Sequence, residues 1–233
     1  MQAEDRPIHF STELIYAPFE LKLPALQRLY YDLSQDPKAA YDNAELTPPG
    51  PPRFHSKRGE KAQSFALFLP DRLVAVEEWV DQPFARFLDR VRAIGAGFVN
   101  AFEIEGFVGQ TATVRTTFGM THFDDARQFL LDHVCNQTDR IWRHFQRPIG
   151  VGGIRFVLPG SAEHPGTLHV IIESYRYSRD EVFVEVKGLF GRPEVAERSI
   201  EDLIANIEGV RRFINEAVYP YLQQFDVIQE NPT

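Results

Sequence analysis

Residues 181–190 read EVFVEVKGLF, in which Val182, Val184 and Val186 alternate with Phe183, Glu185 and Lys187. A period of two is what a half-buried strand requires. Downstream, Ser199 with Asp202 marks a helix start, and Ile200, Leu203, Ile207, Val210, Ile214, Ala217 and Tyr221 follow at three- and four-residue spacing. Pro220 is expected to end or kink that helix, because proline lacks the amide and crowds the preceding turn. A one-faced strand followed by a one-faced helix predicts a sheet with helices laid against it.

The same grammar extends upstream. Val151–Leu158 and Thr167–Tyr177 read as strands, and Ser178-Arg179-Asp180 as the turn before Glu181. Before them, Phe123, Leu130, Val134, Ile141 and Phe145 predict one long helix to Gln146, with Thr121 and Asp124 as a capping box and Pro148 and Gly150 as the stop. Val99–Glu105 and Phe107–Phe118 read as strands with bends at Gly106 and Gly109. In the first half, Ile8, Phe10, Thr12, Leu14 and Tyr16 alternate with His9, Ser11 and Glu13. A helix over Leu23–Ser34 follows, with Pro24 in its first turn, then a loop holding Pro48, Pro49, Pro51 and Pro52. Phe54 falls in a short strand, Ser64–Leu69 and Leu73–Trp79 form a hairpin about Pro70-Asp71-Arg72, and Asp81 caps a helix carrying Phe84, Phe87, Leu88, Val91 and Ile94 that ends near Gly95 and Gly97.

Each half thus reads strand, helix, three strands, helix. The expectation is an α+β protein of two similar halves, 1–97 and 98–233, as separate domains or one continuous one, with largely antiparallel sheet and long helices packed on one face.

Three stretches, the opening strand before Ala17-Pro18-Phe19, the segment Phe84–Val99, and Val182–Val186 with the helix ending at Phe225, resemble a sporadically distributed family of uncharacterised bacterial proteins. That resemblance implies a fold and no chemistry.

The 233 residues, 43% of them hydrophobic with 19 Phe and 8 Tyr, suffice for a substantial core. The formal charge of −8 disfavours nucleic acid and anionic lipid. Cys135 is the only cysteine, so no internal disulfide forms, and the first residues carry neither a basic nor an apolar signal region. No apolar run reaches the ~20 residues of a membrane span. These features predict a cytoplasmic protein.

Chemistry-bearing motifs are sparse. His133 and His144 sit on one expected helix about three turns, or roughly 16 Å, apart, too far to share an ion, so no metal site is expected. Cys135 has no nearby activator, and Gly150–Gly153 follows a helix where a phosphate loop would precede one, so it reads as a bend for close packing rather than a cofactor loop. The one basic cluster, Arg53, His55, Lys57, Arg58 and Lys61, is a candidate for binding an anion or a partner, or else a solvated hairpin. The loop Ser161–Gly166 takes the matching place in the second half. The seam Ile200, Leu203, Ile207, Val210, Ile214 and Tyr221 packs either on the sheet or on a second copy. Three functions stay open: an interaction protein that binds a macromolecule or itself, a small-ligand carrier or sensor with an aromatic-lined pocket, and an RNA-processing protein using His55 or His164 beside Arg53, Lys57 and Arg58.

Overall fold

A computed structural model describes residues 1, 6–137, 140–191 and 200–227. Alternating strand sequences build nine strands: β1 (Arg6–Ile15), β2 (Asn43–Glu45), β3 (Arg53–Arg58), β4 (Ala62–Leu69), β5 (Arg72–Glu78), β6 (Gly109–Gly119), β7 (Gly153–Leu158), β8 (Thr167–Ser174) and β9 (Glu181–Phe190). They form one sheet in the order β2-β3-β4-β5-β1-β6-β9-β8-β7. Every pairing is antiparallel. The opening strands of the two halves, β1 and β6, lie side by side, so the halves share a single sheet. From that central pair the order runs β5-β4-β3 one way and β9-β8-β7 the other.

The pleat sends Phe10, Leu14, Leu73, Ala75, Val114, Val170, Val184 and Val186 to one face, where all are buried. Against it lie α1 (Leu23–Ser34), α2 (Phe84–Phe102) and α5 (Ile200–Phe213), which contribute Leu26 and Leu29, Phe87, Val91 and Ile94, and Leu203, Ile207 and Val210. The α+β architecture with helices on one sheet face is therefore as the sequence predicts. Among the described residues no helix is long and apolar enough to cross a membrane.

Three local expectations are corrected. The helix expected to end near Gly95 and Gly97 runs on to Phe102, and the strand expected over Val99–Glu105 does not form. Residue 97, the expected junction of the halves, lies inside α2. The glycines serve close approach instead of termination: a Cβ on Gly97 would sit 2.6 Å from Leu29 Cδ1 of α1, and one on Gly95 would sit 3.1 Å from Ile200 Cδ1 of α5. Second, the single long helix expected over 123–146 is broken into α3 (Ala126–Gln128), a π-helical turn (Phe129–Val134) and α4 (Arg140–Phe145). Its cap is Asp125, which accepts from the amides of Arg127 and Gln128, and not Thr121 with Asp124. Third, of the end or kink expected at Pro220, the closing helix does not end there. A π-helical turn over Ile214–Val218 resets the hydrogen-bond ladder, and α6 (Tyr219–Gln223) begins with Pro220 in its first turn, where no amide is needed. Ser199, the expected cap of α5, lies outside the described residues.

Candidate functional site

The five residues of the basic cluster separate. Strand alternation puts Arg53, His55 and Lys57 on the sheet face that carries no helices. There Glu45 of β2 accepts two bonds of 2.9 Å from Arg53 and lies 3.0 Å from His55 Nε2. The Arg53 guanidinium holds the Glu45 carboxyl below the usual carboxylate range. Lys57 is exposed, and Lys61 lies over the Trp79 ring at 5.0 Å. Arg58 turns toward the helices: it bonds Asp81 and Ser64 and pairs with Glu77, which is 1% exposed. Glu77 also accepts from Arg90 of α2 at 2.9 Å and from Ser64 at 2.6 Å, making a buried ionic cluster that ties β5 to α2. Asp81, expected to cap α2, is used here instead. His164 is exposed in the β7–β8 loop, at the opposite end of the sheet from the β3–β4 turn.

The seam of the closing helix faces inward. Leu203, Ile207, Val210 and Ile214 are buried in the core, with Ile200 and Tyr221 packed at its edges.

A different set of side chains meets on the helix-free face. Register places His9 of β1 beside Arg115 of β6, which faces Glu185 and then Ile171 across β9 and β8. One step along, Thr117, Phe183 and Glu173 form the next row. A bulge between Pro7 and His9 and a left-handed backbone at Trp79 (φ 49°) close one end of the groove. Tyr175, Arg176 and Tyr177, where the chain leaves β8, wall the other. The groove encloses about 760 Å³.

Its floor is polar and largely self-satisfied. Arg115 Nε donates to Glu185 at 2.5 Å, Gln63 donates to Glu78 at 2.6 Å, and His9 Nε2 lies 2.9 Å from Ser11 Oγ. Burial, aided by the neighbouring Arg115 charge, lowers the His9 pKa to about 4 against the opposing pull of Glu78 and Glu185, so the ring is neutral at pH 7. The walls are aromatic: Tyr175 stacks on Phe183 (6.2 Å, 11°) and meets Tyr177 edge-on at 5.4 Å. Arg176 lies 4.8 Å over the Tyr177 ring. Glu173 is half-buried beside these rings, and among the described residues no cation or hydrogen-bond donor reaches its carboxylate.

A second groove of about 780 Å³ runs between α1 and α2 and lacks any aromatic side chain. Among the described residues no three His, Cys, Asp or Glu side chains gather as a metal site. Burial pushes the Cys135 thiol up, which works against its use as a nucleophile. Gly152 lets β7 approach the π-helical turn, since a Cβ there would stand 2.8 Å from Leu131.

None of His9, Glu78, Arg115, Glu173 and Glu185 stands out in the sequence, because their meeting depends on strand pairings up to 106 positions apart. The only trace is that each takes an outward slot in an alternating strand.

No family model matches the chain, and no curated protein matches it. Among solved structures it is similar to the di-domain ARO/CYC BexL from the BE-7585A biosynthetic pathway, at 10% identity and TM-score 0.28 over 97% of this chain and 99% of that one. It is also similar to the di-domain ARO/CYC StfQ from the steffimycin biosynthetic pathway, at 9% identity and TM-score 0.24 over 94% and 98%.

Proposed function

We propose that this protein is a small-molecule carrier or sensor that holds a compact organic cation with a planar apolar body in the groove of the helix-free sheet face. The observation that carries the reading is Glu173, a half-buried carboxylate without a partner among the described residues, set against the Tyr175, Tyr177 and Phe183 rings. The groove volume of about 760 Å³ suits a small ligand. Its charges favour a cation: Glu78, Glu173 and Glu185 face Arg115 and Arg176, and Arg115 is already engaged by Glu185. Aromatic faces add attraction for a positive group, as Arg176 over Tyr177 and Lys61 over Trp79 illustrate within the chain.

Calorimetric titration with 2-phenylethylammonium, set against phenylacetate of similar size, tests this. The ammonium binds and the carboxylate does not. Glu173→Gln weakens the ammonium by roughly tenfold to a hundredfold, the range of a charge-assisted hydrogen bond. Equal binding of phenylacetate, or an unchanged affinity in Glu173→Gln, would overturn the reading.

A further inference from the structure

The two ends of the sheet are built differently. β2, at one end, has three residues, carries Glu45 in an ion pair with Arg53, and is followed closely by Pro48 and Pro49. Shortness, charge and proline are the usual protections of a strand edge. β7, at the other end, is twice as long, with six residues; Arg155 is its one charged residue, in no ion pair among the described residues, and a proline, Pro159, follows it directly. Its Phe156, Val157 and Leu158 are 41%, 53% and 40% exposed, and they project to both faces of the sheet.

The direction of its backbone groups follows from two bonds. Ser174 N–H donates to Gly152 C=O, and Tyr175 N–H donates to Glu181 C=O. Antiparallel alternation then points residues 154, 156 and 158 toward β8 and leaves the N–H and C=O of Gly153, Arg155 and Val157 aimed outward. On the helix side, Phe156 and Leu158 border an apolar groove of about 150 Å³ with Phe213, Ala217, Val218 and Tyr221.

We infer that β7 is the contact strand of a symmetric dimer, in which it pairs antiparallel with β7 of a second copy about a twofold axis at Phe156. This occupant fits for three reasons. Odd-numbered residues, the ones with free backbone groups, pair with odd-numbered residues, so Arg155 and Val157 of each chain exchange bonds with Val157 and Arg155 of the other. Phe156 falls in the close, non-hydrogen-bonded position against its own copy, with Ile154 opposite Leu158, and the two apolar grooves adjoin across the axis. No like charges stand directly opposite, whereas an axis at Arg155 would set two guanidinium groups against each other. The inference is independent of the ligand groove.

Sedimentation equilibrium of the full chain, with amide exchange measured in the same samples, tests it. The unaltered protein sediments at twice its 26.7 kDa chain mass, and the Arg155 and Val157 amides exchange slowly, then quickly once dilution separates the copies. Val157→Pro removes one outward N–H per chain without touching the β8 pairing, a substitution an edge strand tolerates. It weakens the dimer on the order of thirtyfold, the loss of two backbone bonds, while the melting curve of the monomer is kept. Val157→Lys, a charged edge residue that needs no backbone change, weakens it as well. A monomer at all concentrations, with or without protected amides, would overturn the inference. So would a dimer in which both amides exchange freely, or one that Val157→Pro and Val157→Lys leave intact.

Discussion

Lowering the pH should strain the protein at His9 before the carboxylates titrate. In an unfolded chain the imidazole has its ordinary pKa of 6.5, whereas in the folded groove it lies at about 4. The folded state therefore binds fewer protons than the unfolded state between those limits, and stability rises with pH across that window. The sign is that of a depressed group: full stability above pH 6.5, progressive loss as the pH falls toward 4. At about 1.4 kcal/mol per unit, the limiting loss is about 3 kcal/mol, large against the 5–15 kcal/mol that typically hold a domain together. The side chain is only 12% exposed, so solvent screening removes little of this. Groups facing the ring are Glu78, Arg115 and Glu185. Urea denaturation at pH 7.0 and 4.5, on the unaltered protein and on His9→Asn, isolates the effect. Asparagine keeps a donor for Ser11 and does not titrate, so its acid loss should be smaller by about 2 kcal/mol or more. Equal acid losses in the two proteins would refute the argument.

Other substitutions test the packing. Glu77→Leu strands Arg90 and Arg58 beside a buried site and should cost about 3–5 kcal/mol by urea denaturation, with part recovered when Arg90→Leu is added. Two helix glycines should respond differently. Gly209→Ala in α5, with open space around it, raises stability by about 0.5–1 kcal/mol, whereas at Gly97 the same helix gain is offset because the new Cβ must push the buried Leu29 aside, so Gly97→Ala brings no gain or a net loss; melting temperatures report both. Asp226→Ala leaves the amides of Thr121 and His122 without their 2.9 Å acceptors and should cost about 1–3 kcal/mol.

Sequence periodicity reaches what depends on neighbours in the chain. Helix α1 and strand β9 have the bounds their apolar spacing implies, because one buried face imposes its period on each. Errors arise where a distant partner sets the local structure. Gly95 and Gly97 look like a helix stop until Leu29 and Ile200 are seen pressing on that side of α2. Pro220 signals an end or a kink, and the residue pattern does not say which; the π-helical turn just before it shifts the hydrogen-bond ladder and lets the helix continue. Arg58 follows Lys57 in a basic run, and strand alternation sends it to the opposite face, where its partner Glu77 comes from β5 and is not visible in the local sequence. The groove is further out of reach: His9, Arg115 and Glu185 come from strands that meet only because β1 and β6 pair at the centre of the sheet.

Chemical-shift mapping of the backbone amides during titration with 2-phenylethylammonium bears most directly on the ligand reading. Shifts concentrated at His9, Arg115 and residues 173–177 and 183–185 are the result expected of a cation seated beside Glu173. Shifts confined to the α1–α2 groove around Arg28, Asp32 and Asn100, or no saturable shifts at any position, would contradict it.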